Sequence, residues 1–486
     1  MKFQFIMFTA CVSMLLAATS DAQGAEPSAE VVVLRGGWLF DGIADARIRN
    51  TGIVIRDGKF SEVGADLKGR KFPKARVIDL DDDATILPGM FDLHAHYNLD
   101  LVDAGRAEEM RNNAMLFLAN GVTATWSAGE FNPERAVEAR SRIERGEEVG
   151  TRIFNSGPYF GAFRCEYQIE TAADDCIAWP NDITEAEIRR EVDYWAKRGV
   201  ISIKIKQSTP EETRILIDQA HKNGMTATGH LANYKDVYDV HARDAIAMKI
   251  DRLEHWITLE EGGEEKSELS EMIALFLDNG VYFDANLQMY GEGKLRNDPA
   301  LDMVWTDEGR FFTPYTRKLL KKRVAADPSF ETGQSSDFPQ RVVEFKAFYD
   351  AGGGPLMLVG TDEPVYNLLL PAFAYHRELL AMVWAGMPPV AVLKAATING
   401  ARALGVDDRL GSIEVGKLAD LFIANGNPLA EITAARDIHL VIKDGVVYRP
   451  EDLFAAAENQ IGPSGPDDHA AWTLRVTPLV RIKFKH

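Results

Sequence analysis

Cysteine is scarce: there are three in 486 residues, and Cys11 falls inside an apolar stretch at the N-terminus. That leaves Cys165 and Cys176, with no histidine nearby, which disfavours a cysteine-based metal site. Excess positive charge is missing as well. Lys and Arg total 54 against 73 Asp and Glu, a formal net charge of −19, which argues against nucleic acid, whose phosphates want a basic surface. No short tandem repeat is evident. The apolar run at residues 3–18, after Lys2 and before the small residues Ser20 and Ala22, has the layout of a signal peptide and is short for a membrane span. The chain is therefore expected to be periplasmic or secreted, clear of the membrane once residues 1–22 are removed. An even pair of cysteines in an exported chain predicts a disulfide between Cys165 and Cys176.

What is present is concentrated in one segment, Thr85-Ile-Leu-Pro-Gly-Met-Phe-Asp-Leu-His94-Ala-His96-Tyr97. In an extended strand, side chains at i and i+2 face the same way, so His94 and His96 can grip one ion together. Four later runs share a common syntax, a β-prone stretch ending in a residue that can ligate a metal. They are Gly199-Val-Ile-Ser-Ile-Lys204-Ile-Lys206, Gly224-Met-Thr-Ala-Thr-Gly-His230, Ile250-Asp-Arg-Leu-Glu254-His255 and Leu356-Met-Leu-Val-Gly-Thr-Asp362. Each alone has an ordinary explanation, as a core histidine, a turn residue or a solvated lysine. The ordered set is hard to obtain by chance.

Residues 31–448 resemble the amidohydrolase superfamily, and within it the metal-dependent hydrolases similar to imidazolonepropionase and Xaa-Pro dipeptidases. Beyond the ligand set, the resemblance is carried by Leu87-Pro-Gly-Met-Phe-Asp-Leu-His94, Gly121-Val-Thr-Ala-Thr, Ala395-Ala-Thr-Ile-Asn-Gly-Ala-Arg-Ala-Leu-Gly405 and Gly411-Ser-Ile-Glu-Val-Gly-Lys-Leu-Ala-Asp-Leu421. It implies an α/β chain built as a (β/α)8 TIM barrel with a small β-sandwich domain. Strand and helix patterns alternate accordingly, with barrel strands expected from Ile86 and at residues 121–129, 152–157, 200–207, 225–230, 252–255, 281–287 and 356–360. The expected division is a signal peptide at 1–22, sandwich segments at 30–85 and 406–450, the barrel at 86–405 and a tail at 451–486. Asp-Gly turns between strand-like runs mark both sandwich segments. A long connection at 288–354 is expected either to shape the substrate pocket or to form a solvated helical hairpin.

The chemistry follows from the ligands. His94 and His96 would hold one divalent ion with Asp362, and His230 and His255 a second. Zn²⁺ suits imidazole and carboxylate ligands, though Mn²⁺, Co²⁺ or Fe²⁺ would also fit. Two cations need an anionic bridge, which an ammonium cannot provide. By the resemblance, Lys204 supplies it as a carbamate formed with carbon dioxide, and Lys206 shares its parity along the strand and stays open as the alternative. Asp362 would take a proton from water and pass it to the leaving nitrogen. On strand parity Glu254 points away from His255, so it is expected to be structural. The expected substrate is a small amide such as a dipeptide or N-acyl amino acid, with Arg164, Tyr234 and Tyr290 as candidate contacts. Lactones, carbamates and phosphotriesters are the alternatives on the same centre, and a non-catalytic binding protein is disfavoured. No organic cofactor is expected, and a homo-oligomer is left open.

Overall fold

The computed structural model describes residues 31–101, 105–161, 183–231, 240–258, 268–296, 307–326, 338–363 and 369–469. The expected signal peptide and the candidates Arg164, Cys165, Cys176 and Tyr234 lie outside the described residues. The chain is a mixed α/β structure.

Both ends of the described chain build one eight-stranded sheet. Val31–Leu39 lies at its middle, antiparallel to Ile53–Arg56 and parallel to Arg76–Pro88. Arg76–Pro88 in turn pairs antiparallel with Leu421–Ala424, which continues through Ile438–Lys443 to Val446–Tyr448. Alternation explains its faces: Val32, Leu34, Ile53, Ile55, Ile86, Leu421 and Ile423 form one core, while Val33, Val54 and Leu67 pack on the other side. The expected Asp-Gly turns are present. Asp57 and Gly58 join Ile53–Arg56 to Lys59–Val63, and Asp444 and Gly445 join the last two strands. All four have positive φ, from 49° to 77°, as the tight turns of twisted hairpins demand.

The remaining strands are parallel. Met90–Ala95, Val122–Ser127 and Arg152–Phe154 form one sheet. Tyr159–Phe160, Ser202–Lys206, Thr226–His230, Arg252–Glu254 and Tyr282–Asp284 form another. Two links join them. Glu130 bridges to Pro158, and residues 357–359 bond to both sheets: Leu358 N–H donates to Phe283 O at 3.0 Å and Leu93 N–H to Val359 O at 2.9 Å. Helices separate successive strands, among them Glu185–Ala196 and Pro210–Lys222. Each of these two opens on a capping box, Thr184 with Glu187 and Thr209 with Glu212. Their apolar stripes, including Ile188, Val192 and Trp195 and then Ile215, Leu216 and Ala220, pack into the main core.

Three boundaries differ from expectation. Ile86 belongs to the eight-stranded sheet, and the strand that carries His94, with His96 just past its end, begins only at Met90. Gly89 makes the crossing, since a Cβ there would come within 2.0 Å of Thr123 Oγ1. The third strand is broken between Phe154 and Tyr159, where Gly157 has φ 70°. Residues 356–360 form no regular strand, only the bridge at Met357 and the hydrogen bonds above.

The long connection carries the helices Leu287–Arg296, Pro314–Ala326 and Phe338–Phe348. Within the tail, Pro450–Ala457 is helical, and the residues after it hold the connection in place. Asn459 N–H donates to Arg310 O, Ile461 N–H to Phe311 O, and Thr313 N–H to Ile461 O, at 2.9–3.0 Å.

Candidate metal centre

Successive parallel strands deliver polar side chains to one place. His94 lies on Met90–Ala95, Lys204 on Ser202–Lys206 and His230 at the end of Thr226–His230, while Glu254 and Asp284 end the next two strands. His255 and Asp362 are reached by a different device. Both adopt left-handed backbone, with φ 71° and 51°, a conformation that costs a non-glycine residue about 1–3 kcal/mol and persists only where surroundings enforce it. At residue 255 the kink breaks the strand's alternation. Glu254 and His255 therefore both reach the centre, which corrects the expectation that Glu254 points away.

The side chains converge. His96 Nε2 lies 2.9 Å and His94 Nε2 3.2 Å from the same Asp362 oxygen, Oδ1. Lys204 Nζ is 3.1 Å from His94 Nε2 and donates to Glu254 Oε2. His255 Nε2 and His230 Nδ1 are 2.8 Å apart, and His255 Nε2 is 3.9 Å from Asp362 Oδ2. Two groups place their ligand atoms within 4.8 Å of one another: His94, His96 and Asp362, and His94, Glu254 and His255. Behind them Asp284 Oδ2 holds His94 Nδ1 at 3.0 Å. Asp92 accepts from His94 N–H, Thr361 N–H and Thr361 Oγ1, which ties the histidine strand to the residue before Asp362.

The electrostatics favour a cation. Burial drives His230 and His255 well below the ordinary imidazole value, and burial outweighs the Asp362 contact to take His96 down to about 4. These rings are neutral, the form that ligates a metal. Burial would lower His94 too, but Glu254, Asp362 and the Asp284 hydrogen bond prevail over it and over Lys204, raising His94 to about 9. Asp362 is held well below the carboxylate range: burial would raise it, yet His94, with hydrogen bonds from His94 and His96, overcomes that. Glu254 Oε1 and His255 Nδ1 are buried without a hydrogen-bond partner. Three neutral imidazoles, the ionised carboxylates of Asp362 and Glu254 and buried atoms without a hydrogen bond are a donor set that fits divalent metal, whose binding would displace the proton from His94.

All six sequence-predicted ligands thus lie together, with Lys204 only 2% exposed. Lys206 pairs in register with His230 at the end of its strand and is less buried. Tyr290 is close, its ring 5.3 Å from that of His255. Glu254, Asp284 and Asp92 were not anticipated as site residues. For Asp284 a signal existed: Val281-Tyr-Phe-Asp284 has the same strand-then-ligand syntax as the other runs.

Comparison with known proteins shows the family. A model of the amidohydrolase family matches residues 85–448. The chain is 26% identical over 436 residues to a 5'-deoxyadenosine deaminase of Methanosphaera stadtmanae, covering 83% of this chain and 90% of that protein. It is 25% identical over 437 residues to an imidazolonepropionase of Clostridium tetani, covering 83% and 91%. Among solved structures, a Xaa-Pro dipeptidase with methionine bound in its active site superposes with a TM-score of 0.65 at 25% identity, covering 86% of this chain and all of that one.

Gly360 offers a test of the second tier of contacts. A Cβ at this position would lie 2.5 Å from Asp284 Oδ2 and 2.6 Å from His94 Cβ. Gly360→Ala is expected to displace the Asp284–His94 pair and weaken metal binding by about 10–100-fold, the usual scale for disturbing a ligand's supporting hydrogen bond. Chelator competition on the purified variant, with circular dichroism to check the fold, measures it. Unchanged affinity would remove Asp284 from its orienting role.

Proposed function

We propose that this chain, which belongs to the amidohydrolase family and so is a metal-dependent hydrolase acting on C–N bonds, cleaves the amide or peptide bond of a small substrate such as a dipeptide or N-acyl amino acid. The observation that carries the reading is the convergence of four imidazoles, Lys204 and Asp362 on one buried point. In this reading the parallel strands and residues 357–359 form a (β/α)8 barrel, and the sheet of both chain ends is the core of a small β-sandwich domain. His94, His96 and Asp362 would hold one divalent ion and His230 and His255 a second, zinc being the metal best suited to these ligands. Bound there, the ions would supply Lewis acidity and lower the pKa of water toward ~7.

The chain's own groups do the rest. Lys204 lies beside His94, its nitrogen donating to Glu254, and as a carbamate it would bridge the two halves of the ligand set. Asp362, ionised and aimed by two histidines, accepts the proton of the attacking water and returns it to the departing nitrogen, since an unprotonated amine leaves poorly. Asp284 and Asp92 keep the histidine strand and residue 361 in register while this happens. Export and the Cys165–Cys176 bridge, read from the sequence, belong to the same proposal, and mass spectrometry of unreduced peptides tests the bridge.

Two measurements test the site. Metal analysis is expected to find two ions per chain, and at least one is expected to be lost in Lys204→Ala; two retained ions would move the bridge to Lys206. Asp362→Asn, assayed with its metal content measured alongside, is expected to lose turnover by on the order of 10²-fold or more, and near-normal turnover would overturn the proton-transfer role. The substrate panel should include dipeptides, N-acyl amino acids, lactones, carbamates and phosphotriesters. It should also contain 5'-deoxyadenosine, because a relative of nearly full length is named as its deaminase. Preference for the nucleoside would replace the amide reading with deamination on the same centre.

A further inference from the structure

His255 is held in a backbone conformation that its own sequence does not favour, so something outside the strand must impose it. Part of the restraint is Asp284, whose carbonyl accepts from His255 N–H at 2.7 Å. The rest comes from the long connection. Arg341, on the helix Phe338–Phe348, donates from Nη1 to the His255 carbonyl at 3.0 Å. Its guanidinium carbon lies 3.3 Å from the centre of the Tyr290 ring and 4.1 Å from that of Trp256. Both rings also stand against His255, with centroids 5.3 and 5.1 Å away. One helical step further on, Glu344 accepts from Ile257 N–H at 2.8 Å, Thr258 N–H at 3.3 Å and the Thr258 hydroxyl.

Arg341 and Glu344 are three residues apart, so they share a helix face. They are 2% and 0% exposed. A buried guanidinium and a buried carboxylate are expensive to place in a protein interior unless each is well bonded, and here both bond to one four-residue turn, Glu344 also accepting from Gln340 Nε2 at 3.4 Å. The contacts are directional and, apart from the Thr258 hydroxyl, fall on the backbone. They define where the His255 imidazole sits without touching it.

We propose that the helix Phe338–Phe348 is a clamp on the turn 255–258, and that Arg341 and Glu344 are positioning residues that aim His255 at the second metal ion. The proposal rests on the metal-centre reading above and gives the connection at 288–354 a role that neither a pocket wall nor a solvated hairpin would have. Arg341 sets the angle of His255 through its carbonyl and braces the Trp256 and Tyr290 rings that flank it. Glu344 fixes the two residues that follow.

Arg341→Lys keeps the charge but loses the planar fork that donates and stacks at once. Glu344→Gln keeps the shape and one acceptor oxygen. Each is expected to weaken one of the two bound zinc ions by about 10–100-fold while the other keeps its affinity, read by chelator competition. The visible spectrum of the cobalt-substituted protein should shift and kcat should fall more than KM rises, and the metal-free protein, though less stable for the loss of a buried contact, should still fold. Val343→Ala, exposed on the same helix, is the control and should keep both ions. Wild-type affinity for both ions and an unchanged cobalt spectrum in the two variants would overturn the proposal. So would parallel loss of both ions, which marks a purely structural helix. If Arg341→Lys does not fold, Glu344→Gln decides alone. A parent protein that binds no metal would instead overturn the metal-centre reading itself, a separable result.

Discussion

The amine of Lys204 is buried in the middle of a parallel sheet, against an imidazole nitrogen and a carboxylate. Removing such a group from water is costly unless its surroundings compensate, and the compensation organises the site around it. Glu254 must be buried beside it. For Glu254 and its neighbour His255 both to face inward, the strand must end in a left-handed residue. The left-handed residue must then be held by Asp284 on one side and Arg341 on the other. One buried nitrogen thus accounts for a kink, a second carboxylate and the docking of a helix from a distant part of the chain.

Charge runs the same way. Asp92, Glu254, Asp284 and Asp362 lie within a short distance of four histidines, and all but the partly buried Asp362 are among the most buried polar residues of the fold. Burial pushes Asp92 up to about 7 despite three hydrogen bonds, and nearby Asp284 adds to the shift. Against its own burial, His94 is driven the same way, above its ordinary value, chiefly by Glu254 and Asp362. Four buried or partly buried carboxylates among four histidines concentrate negative charge in one place, and divalent ions would answer it with fixed geometry.

Much of this was legible in the sequence because strand parity is a strong rule. Apolar residues alternating with Ser202, Lys204 and Lys206 place Lys204 on the polar side, and the same reasoning finds His94 with His96. Parity also explains the failures. It put Glu254 on the wrong side, because the kink at His255 is imposed by Asp284 and Arg341, residues 29 and 86 positions away that no local pattern reveals. It started the first parallel strand at Ile86, running the apolar stretch through to the histidines although Pro88-Gly89 marks the transfer between sheets, where Gly89 closely approaches Thr123. The brace from Arg341 and Glu344 was invisible because a basic and an acidic residue in a polar connection ordinarily mark a solvated face.

The central claim is that Lys204 bridges two ions as a carbamate. A crystal structure of the zinc-loaded protein grown in the presence of bicarbonate, with anomalous diffraction collected at the zinc edge, tests it most directly. The account predicts two anomalous peaks, one among His94, His96 and Asp362 and one at His230 and His255, with extra density extending from Lys204 Nζ between them. A single peak, or an unmodified Lys204 still paired with Glu254 in the metal-loaded protein, would contradict it.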